Sequence, residues 1–118
     1  MSCSVQEAIN TYYESWRQGG RFNLHLFADD FAFIGPIDQF FLARDFIEMA
    51  GKLGPAVRDI KIKKQFVDGD QTCSIFDFET NTPVGTIPCV EWIRVKDGRI
   101  TSIQLFYDAR DLAAFLGR

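Results

Sequence analysis

Glu91 is the side chain whose chemistry contrasts most with its surroundings. It lies in Val90-Glu91-Trp92-Ile93, an apolar run that reads as a strand. Alternation along a strand puts Glu91, Ile93 and Val95 on one face. A carboxyl in that company has two fates. It can pair with a cation on a neighbouring strand, with Arg58 and Lys63 as candidates. Or it stays desolvated, which disfavours its charge and raises its pKa. A carboxyl of the second kind can donate a hydrogen bond or move a proton near neutral pH.

The other candidates are weighed in the same way. Tyr12, in Asn10-Thr11-Tyr12-Tyr13, can be a hydrogen-bond donor to a ligand, or part of an aromatic stripe with Tyr13 and Trp16 that packs a helix on a sheet. Asp38 is a turn residue or a base. Asp77 is expected to point outward, because alternation groups Phe76 and Phe78 on the opposite side. Asp29-Asp30 resemble an acid–base pair, but their place at a helix-to-strand junction suits turn and capping hydrogen bonds. Asp108-Ala109-Arg110-Asp111 is expected to start a terminal helix.

Cys3, Cys73 and Cys89 form an odd set without a Cys-x-x-Cys motif, which argues against a disulfide framework or structural zinc. Cys73 and Cys89 are expected near each other across a hairpin, as buried free thiols. His25 is the single histidine, and no carboxylate spacing completes a metal site around it. No cofactor is implied.

These residues need a frame to hold them. A chain of 118 residues fits a single domain, residues 1–118, with one core. Phe accounts for 12 residues, enough rigid aromatic surface for a large core or a cavity wall. Net charge is −3, with no basic cluster, which argues against nucleic acid and anionic membrane as partners. No apolar run approaches the ~20 residues of a membrane span, and Met1–Glu7 lacks the parts of a signal peptide, so a cytoplasmic location is expected.

Ser4-Val5-Gln6-Glu7 reads as a capping box. The helix it opens carries Val5, Ala8, Ile9, Tyr12, Tyr13 and Trp16 at helical spacing and ends at Gly19-Gly20. A short helix over 23–28, strands over 31–34 and 37–42, and a helix over 43–53 follow. Gly54-Pro55 stops that helix. Strand-like runs cover 56–67, 72–80, 85–95 and 99–107. Asp68-Gly69 and Asp97-Gly98 supply tight turns, giving a four-stranded antiparallel meander, and 108–116 forms a last helix. The class is α+β: a strongly curved, mainly antiparallel sheet with N-terminal helices over one face, enclosing an apolar pocket. The basic run Arg58, Lys61, Lys63 and Lys64 alternates with Ile60 and Ile62 and reads as a solvated strand face.

With this element order, the helix ending in Gln18-Gly19-Gly20, Leu26-Phe27-Ala28-Asp29-Asp30, the hairpin Ile93–Ile100 and Phe106-Tyr107-Asp108, the chain resembles the NTF2-like superfamily, within it the ketosteroid isomerase and SnoaL-like group. The resemblance implies a pocket facing Glu91. It places the isomerase tyrosine at Tyr12, the late-strand acid at Glu91 and the carboxylate base at Gly35, which cannot take a proton. Asp38 lies three residues on. For the epoxide hydrolases of the same superfamily, the last-strand acid falls on Leu105 and the arginine has no match, so that chemistry is not expected.

On this basis the expected catalytic groups are Glu91, Tyr12 and Asp38. The expected ligand-contacting walls are Trp16, Phe33, Phe41, Phe46, Ile93, Leu105 and Tyr107. The expected partner is a small apolar molecule, acted on by a cofactor-independent isomerase, cyclase or hydrolase of SnoaL-like type. Two alternatives stand beside it: a non-catalytic binding module, and a homodimerisation domain using Ile60, Ile62, Ile75 and Trp92 on the outer sheet face.

Overall fold

The computed structural model describes the backbone of Ser2–Arg118 and the side chains from Val5 onward. Helix α1 is Ser2–Arg17, followed by β1 (Phe27–Ile34), β2 (Gln39–Phe40), α2 (Ala43–Leu53), β3 (Val57–Asp68), β4 (Gln71–Thr80), β5 (Thr86–Lys96), β6 (Arg99–Phe106) and α3 (Arg110–Phe115). Short 3-10 turns at Leu24–Leu26 and Gly54–Ala56 lead into β1 and β3. The helix begins at Ser2, ahead of the expected cap at Ser4, whose side chain lies outside the described residues. Among the described residues no helix is long and apolar enough to cross a membrane.

The six strands form one mixed sheet in the order β2-β1-β6-β5-β4-β3. The expected meander is β3 to β6, antiparallel throughout. Lys96 pairs with Arg99 across Asp97-Gly98, and both turn residues have positive φ, 54° and 75°. That is the backbone of a two-residue hairpin whose twist matches its strands. The other hairpin turns one residue later than expected, at Gly69-Asp70, because Asp68 still pairs with Gln71. β1 pairs parallel to β6, a contact that no local pattern signals.

Three expectations change in the first third of the chain. The helix expected over 23–28 is only the 3-10 turn, and β1 starts at Phe27 rather than Phe31. Asp29 and Asp30 are exposed within β1, where the register with β6 shifts between Phe27 and Ala32. The irregularity lets both carboxyls face water inside a strand. The second strand, expected over 37–42, is only Gln39–Phe40.

Helix α1 lays its apolar stripe on the sheet: Ile9, Tyr12, Tyr13 and Trp16 are all buried. Its end is pinned twice. Arg17 Nε donates to the Ile60 carbonyl of β3 at 3.2 Å. Beyond it, the chain touches the end of α2 so closely that a Cβ on Gly54 would lie 1.9 Å from the Gly19 carbonyl oxygen. Phe46 of α2 is the hub beneath these helices, its ring centroid 5.0 Å from that of Phe33 and 5.5 Å from that of Phe22.

Strand alternation sorts the remaining candidates. Cys89 is buried opposite Phe76, whereas Cys73 stands opposite Trp92 on the other face, so the two thiols do not meet. Asp77 faces outward, its Oδ2 3.3 Å from Lys63 Nζ. Ile60 is 1% exposed and Ile62 packs on the core, which takes both off the outer face where Ile75 and Trp92 remain.

Candidate functional site: a carboxyl at the wall of an apolar cavity

Between the helices and the sheet is a cavity of about 610 Å³. Trp16 of α1, Phe33 of β1, Met49 and Leu53 of α2, and Phe76 and Phe78 of β4 supply apolar walls. Ile87, Cys89 and Glu91 line it from β5, and Leu105 and Tyr107 from β6 and the segment after it. Leu112, Leu116 and Arg118 close one side of the mouth, with Asp38, Asp45, Glu48 and Lys52 around the rest. A space of this size suits a small organic molecule.

Glu91 is 3% exposed. Register places it between Ser74 on β4 and Leu105 on β6, and its Oε2 accepts from the Tyr12 hydroxyl at 2.7 Å. Burial pushes the carboxyl up to about 7, while hydrogen bonding from Tyr12, and then from Tyr13, pulls it partly back. The Tyr13 hydroxyl nonetheless falls short of a well-formed bond: it, Glu91 Oε1 and Thr72 Oγ1 are buried without partners. Neither Arg58 nor Lys63 reaches Glu91, and among the described residues none of the ion pairs includes it. Tyr12 is held well above its ordinary pKa, chiefly by burial and then by the Glu91 charge, so it remains a donor.

Cys89 shares the wall, two residues from Glu91 on the same face. Burial first, then the charges of Glu91 and Asp77, push its thiol up to about 12, which removes it as a nucleophile at neutral pH. Gly35 also lines the cavity, and its N–H donates to the Asp38 carbonyl at 2.9 Å. That tight turn brings Asp38 to the rim, where its Oδ1 lies 2.7 Å from Arg118 Nη1. Among the described residues no group of three or more His, Cys, Asp or Glu side chains is placed to hold a metal ion.

Of the expected wall residues, Trp16, Phe33, Leu105 and Tyr107 line the cavity; Phe41, Phe46 and Ile93 do not. Phe46 is wholly buried as the aromatic hub, with its ring spent on other rings. Ile93 faces inward but lies further along β5 than the cavity and is fully buried. Phe41 follows the short β2 and is 63% exposed. Tyr12 reaches the site only through Glu91. Sequence reasoning misses Cys89, although strand alternation puts it beside Glu91. Leu112, Leu116 and Arg118 give no signal, since their role depends on where α3 docks.

The fold is α+β with the NTF2-like architecture. The chain belongs to the SnoaL-like domain family, whose model matches residues 9–103. Solved structures agree on the fold. An NTF2-like protein from Cytophaga hutchinsonii superposes with a TM-score of 0.78 at 19% identity, over 92% of this chain and 93% of that one. A candidate polyketide cyclase from Sinorhizobium meliloti gives 0.72 at 15% identity, over 85% and 94%. TerC, co-crystallised with polyporic acid, gives 0.76 at 14% identity, over 98% and 99%. No curated protein matches the chain significantly.

Proposed function

We propose that this protein binds a small apolar molecule and moves a proton on it without a cofactor, with Glu91 as the acid–base group and Tyr12 as its partner. One observation carries the reading: a buried carboxyl raised to about 7 forms part of the wall of an apolar cavity of about 610 Å³. Near neutrality such a group holds both protonation states, as a general acid–base needs. The named relatives support it as fold analogues, one a candidate cyclase and one crystallised with an organic acid.

The test uses apolar cyclic ketones, which only accept hydrogen bonds. Trp16 lines the cavity while Trp92 lies on the other face, so a Trp92→Phe background makes Trp16 fluorescence the binding reporter. Affinity is expected to fall as pH rises through about 7, because protonated Glu91 is the donor. Exchange of the α-proton for deuterium, followed by NMR, is expected to rise over the same range and to vanish in Glu91→Gln. Absence of both binding and exchange overturns the proposal.

A second reading, a non-catalytic binding module, is favoured by Gly35, which lines the cavity and cannot take a proton, at the position where the family resemblance would put a base. Binding without exchange decides for it. Self-association through the outer sheet face, around Ile75 and Trp92, is a separate part of the proposal, checked by sedimentation of the wild type against Trp92→Lys.

A further inference from the structure

Glu91 has two oxygens, and Tyr12 serves only one of them. The other, Oε1, is buried without a partner, as is the hydroxyl of Tyr13, which is 2% exposed. Buried polar atoms without partners are uncommon and each needs an explanation. Two orphans of complementary type, one acceptor and one donor, explain each other if they meet.

The elements bring them to the same place. Tyr13 stands edge-on to Tyr12 at 5.0 Å and packs on Phe76 at 5.5 Å, two residues along β4 from Ser74. Ser74 is itself the register partner of Glu91. Tyr13, packed against Tyr12 and Phe76, is thereby brought to the same part of the sheet as Ser74 and Glu91, with its hydroxyl bonded to neither. Behind Ser74 lies Gln65 of β3, whose Nε2 donates to Ser74 Oγ at 3.2 Å. An amide nitrogen only donates, so the Ser74 proton is free to point onward to the Tyr13 oxygen, and the Tyr13 proton to Glu91. Every donor in the row then points toward the carboxyl.

We propose that Tyr13 is a positioning residue for Glu91: its hydroxyl serves Oε1 as Tyr12 serves Oε2, and it is oriented to do so by a relay from Gln65 through Ser74. This rests on the reading of Glu91 given above and adds the groups that set its proton affinity. The titratable groups facing Glu91 are Tyr12 and Tyr13 from α1 and Cys89 along β5. From β4 it faces the neutral Ser74, and from β6 Leu105.

The test needs no ligand. In the full chain with 13C-labelled glutamate, the Glu91 carboxyl is assigned by its loss in Glu91→Gln and titrated by NMR. Tyr13→Phe removes a donor to the charged form, so its midpoint is expected to be higher by about half to one pH unit. Ser74→Ala is expected to raise it by less, and to add nothing in the Tyr13→Phe background. An unmoved or lowered midpoint in Tyr13→Phe overturns the inference, as does an equal effect of Ser74→Ala with and without Tyr13. If Tyr13→Phe does not fold, Ser74→Ala and Gln65→Leu carry the test, and the relay fails if both leave the midpoint unmoved. A wild-type midpoint in the ordinary glutamate range sinks the proposed function as well. A raised wild-type midpoint that Tyr13→Phe leaves in place sinks this inference alone.

Discussion

Arg118 Nη1 lies 2.7 Å from Asp38 Oδ1, and this contact ties the chain beyond α3 to the turn between β1 and β2 across the cavity mouth. The two side chains are 53% and 33% exposed. Pairs so placed contribute at most about 1 kcal/mol, because water and salt screen them. Helix α3 has no buried residue of its own, so the pair is a tether at the rim rather than part of the core. Asp38→Ala is accordingly expected to change unfolding free energy by less than about 1 kcal/mol in urea titrations. It should leave the pH dependence of ketone binding intact, since Glu91 is untouched. A binding profile that lost its midpoint near 7 in Asp38→Ala would reassign the titrating group.

Glu91 makes stability fall with rising pH. The folded chain holds its proton up to about pH 7, whereas a free glutamate releases it near 4.5. Between those values the folded state binds more protons than the unfolded one, so the contribution is complete below about 4.5 and is lost as pH rises through about 7. Glu91→Gln has no such proton. It should match the wild type near pH 5 and exceed it near pH 8 by up to about 3 kcal/mol, measured as paired urea midpoints at the two pH values. Parallel pH profiles for the two proteins would contradict the burial argument.

Removing the Tyr12 hydroxyl leaves Glu91 Oε2 without its donor. Tyr12→Phe should cost about 1–3 kcal/mol, with the greater loss above pH 7, where the carboxyl is ionised and depends on the bond more. The Glu91 midpoint should also move upward. Calorimetry at pH 5 and pH 8 separates this from simple loss of packing, which would be the same at both.

Two glycines in and after α2 should respond in opposite directions. Gly54→Ala forces a Cβ to within 1.9 Å of the Gly19 carbonyl oxygen and should destabilise by more than about 2 kcal/mol as α1 and α2 are pushed apart. Gly51, inside α2, has open space where a methyl would go, with nothing within 4 Å of it, so Gly51→Ala should gain about 0.5–1 kcal/mol from helix propensity. Thermal melts of the two variants suffice; a loss in both would mean that α2 packs more tightly than the contacts indicate.

Local pattern carries most of this fold. The stripe from Val5 to Trp16, the helix over Ala43–Leu53 and the turn at Asp97-Gly98 are each encoded within a few residues, by helical spacing or by positive φ. Strand alternation groups Glu91 with Ile93 and Val95 on one face, and the family resemblance is what turns that face inward. What local pattern does not carry depends on distant partners. Asp29-Asp30 read as turn residues from their place after a short helix, and only the irregular pairing with β6, invisible in the sequence, keeps both exposed within a strand. Phe46 reads as a cavity wall because nothing in its neighbourhood reveals the rings that enclose it. Cys73 and Cys89 read as neighbours until register sets them on opposite faces. The reach of Arg118 to Asp38 spans 80 residues and has no counterpart in any window of the chain.

The parallel pairing of β1 with β6 also bears on the order of assembly. Translation delivers β6 after every other strand, yet β6 lies between β1 and β5. Until Arg99–Phe106 has been made, β1 and β5 each present an unpaired edge, and the N-terminal half cannot join the meander. Such sequence-distant closure slows folding relative to helical chains of similar size. It leaves the nascent chain with open strand edges for longest, the condition in which chaperones and self-association compete for it.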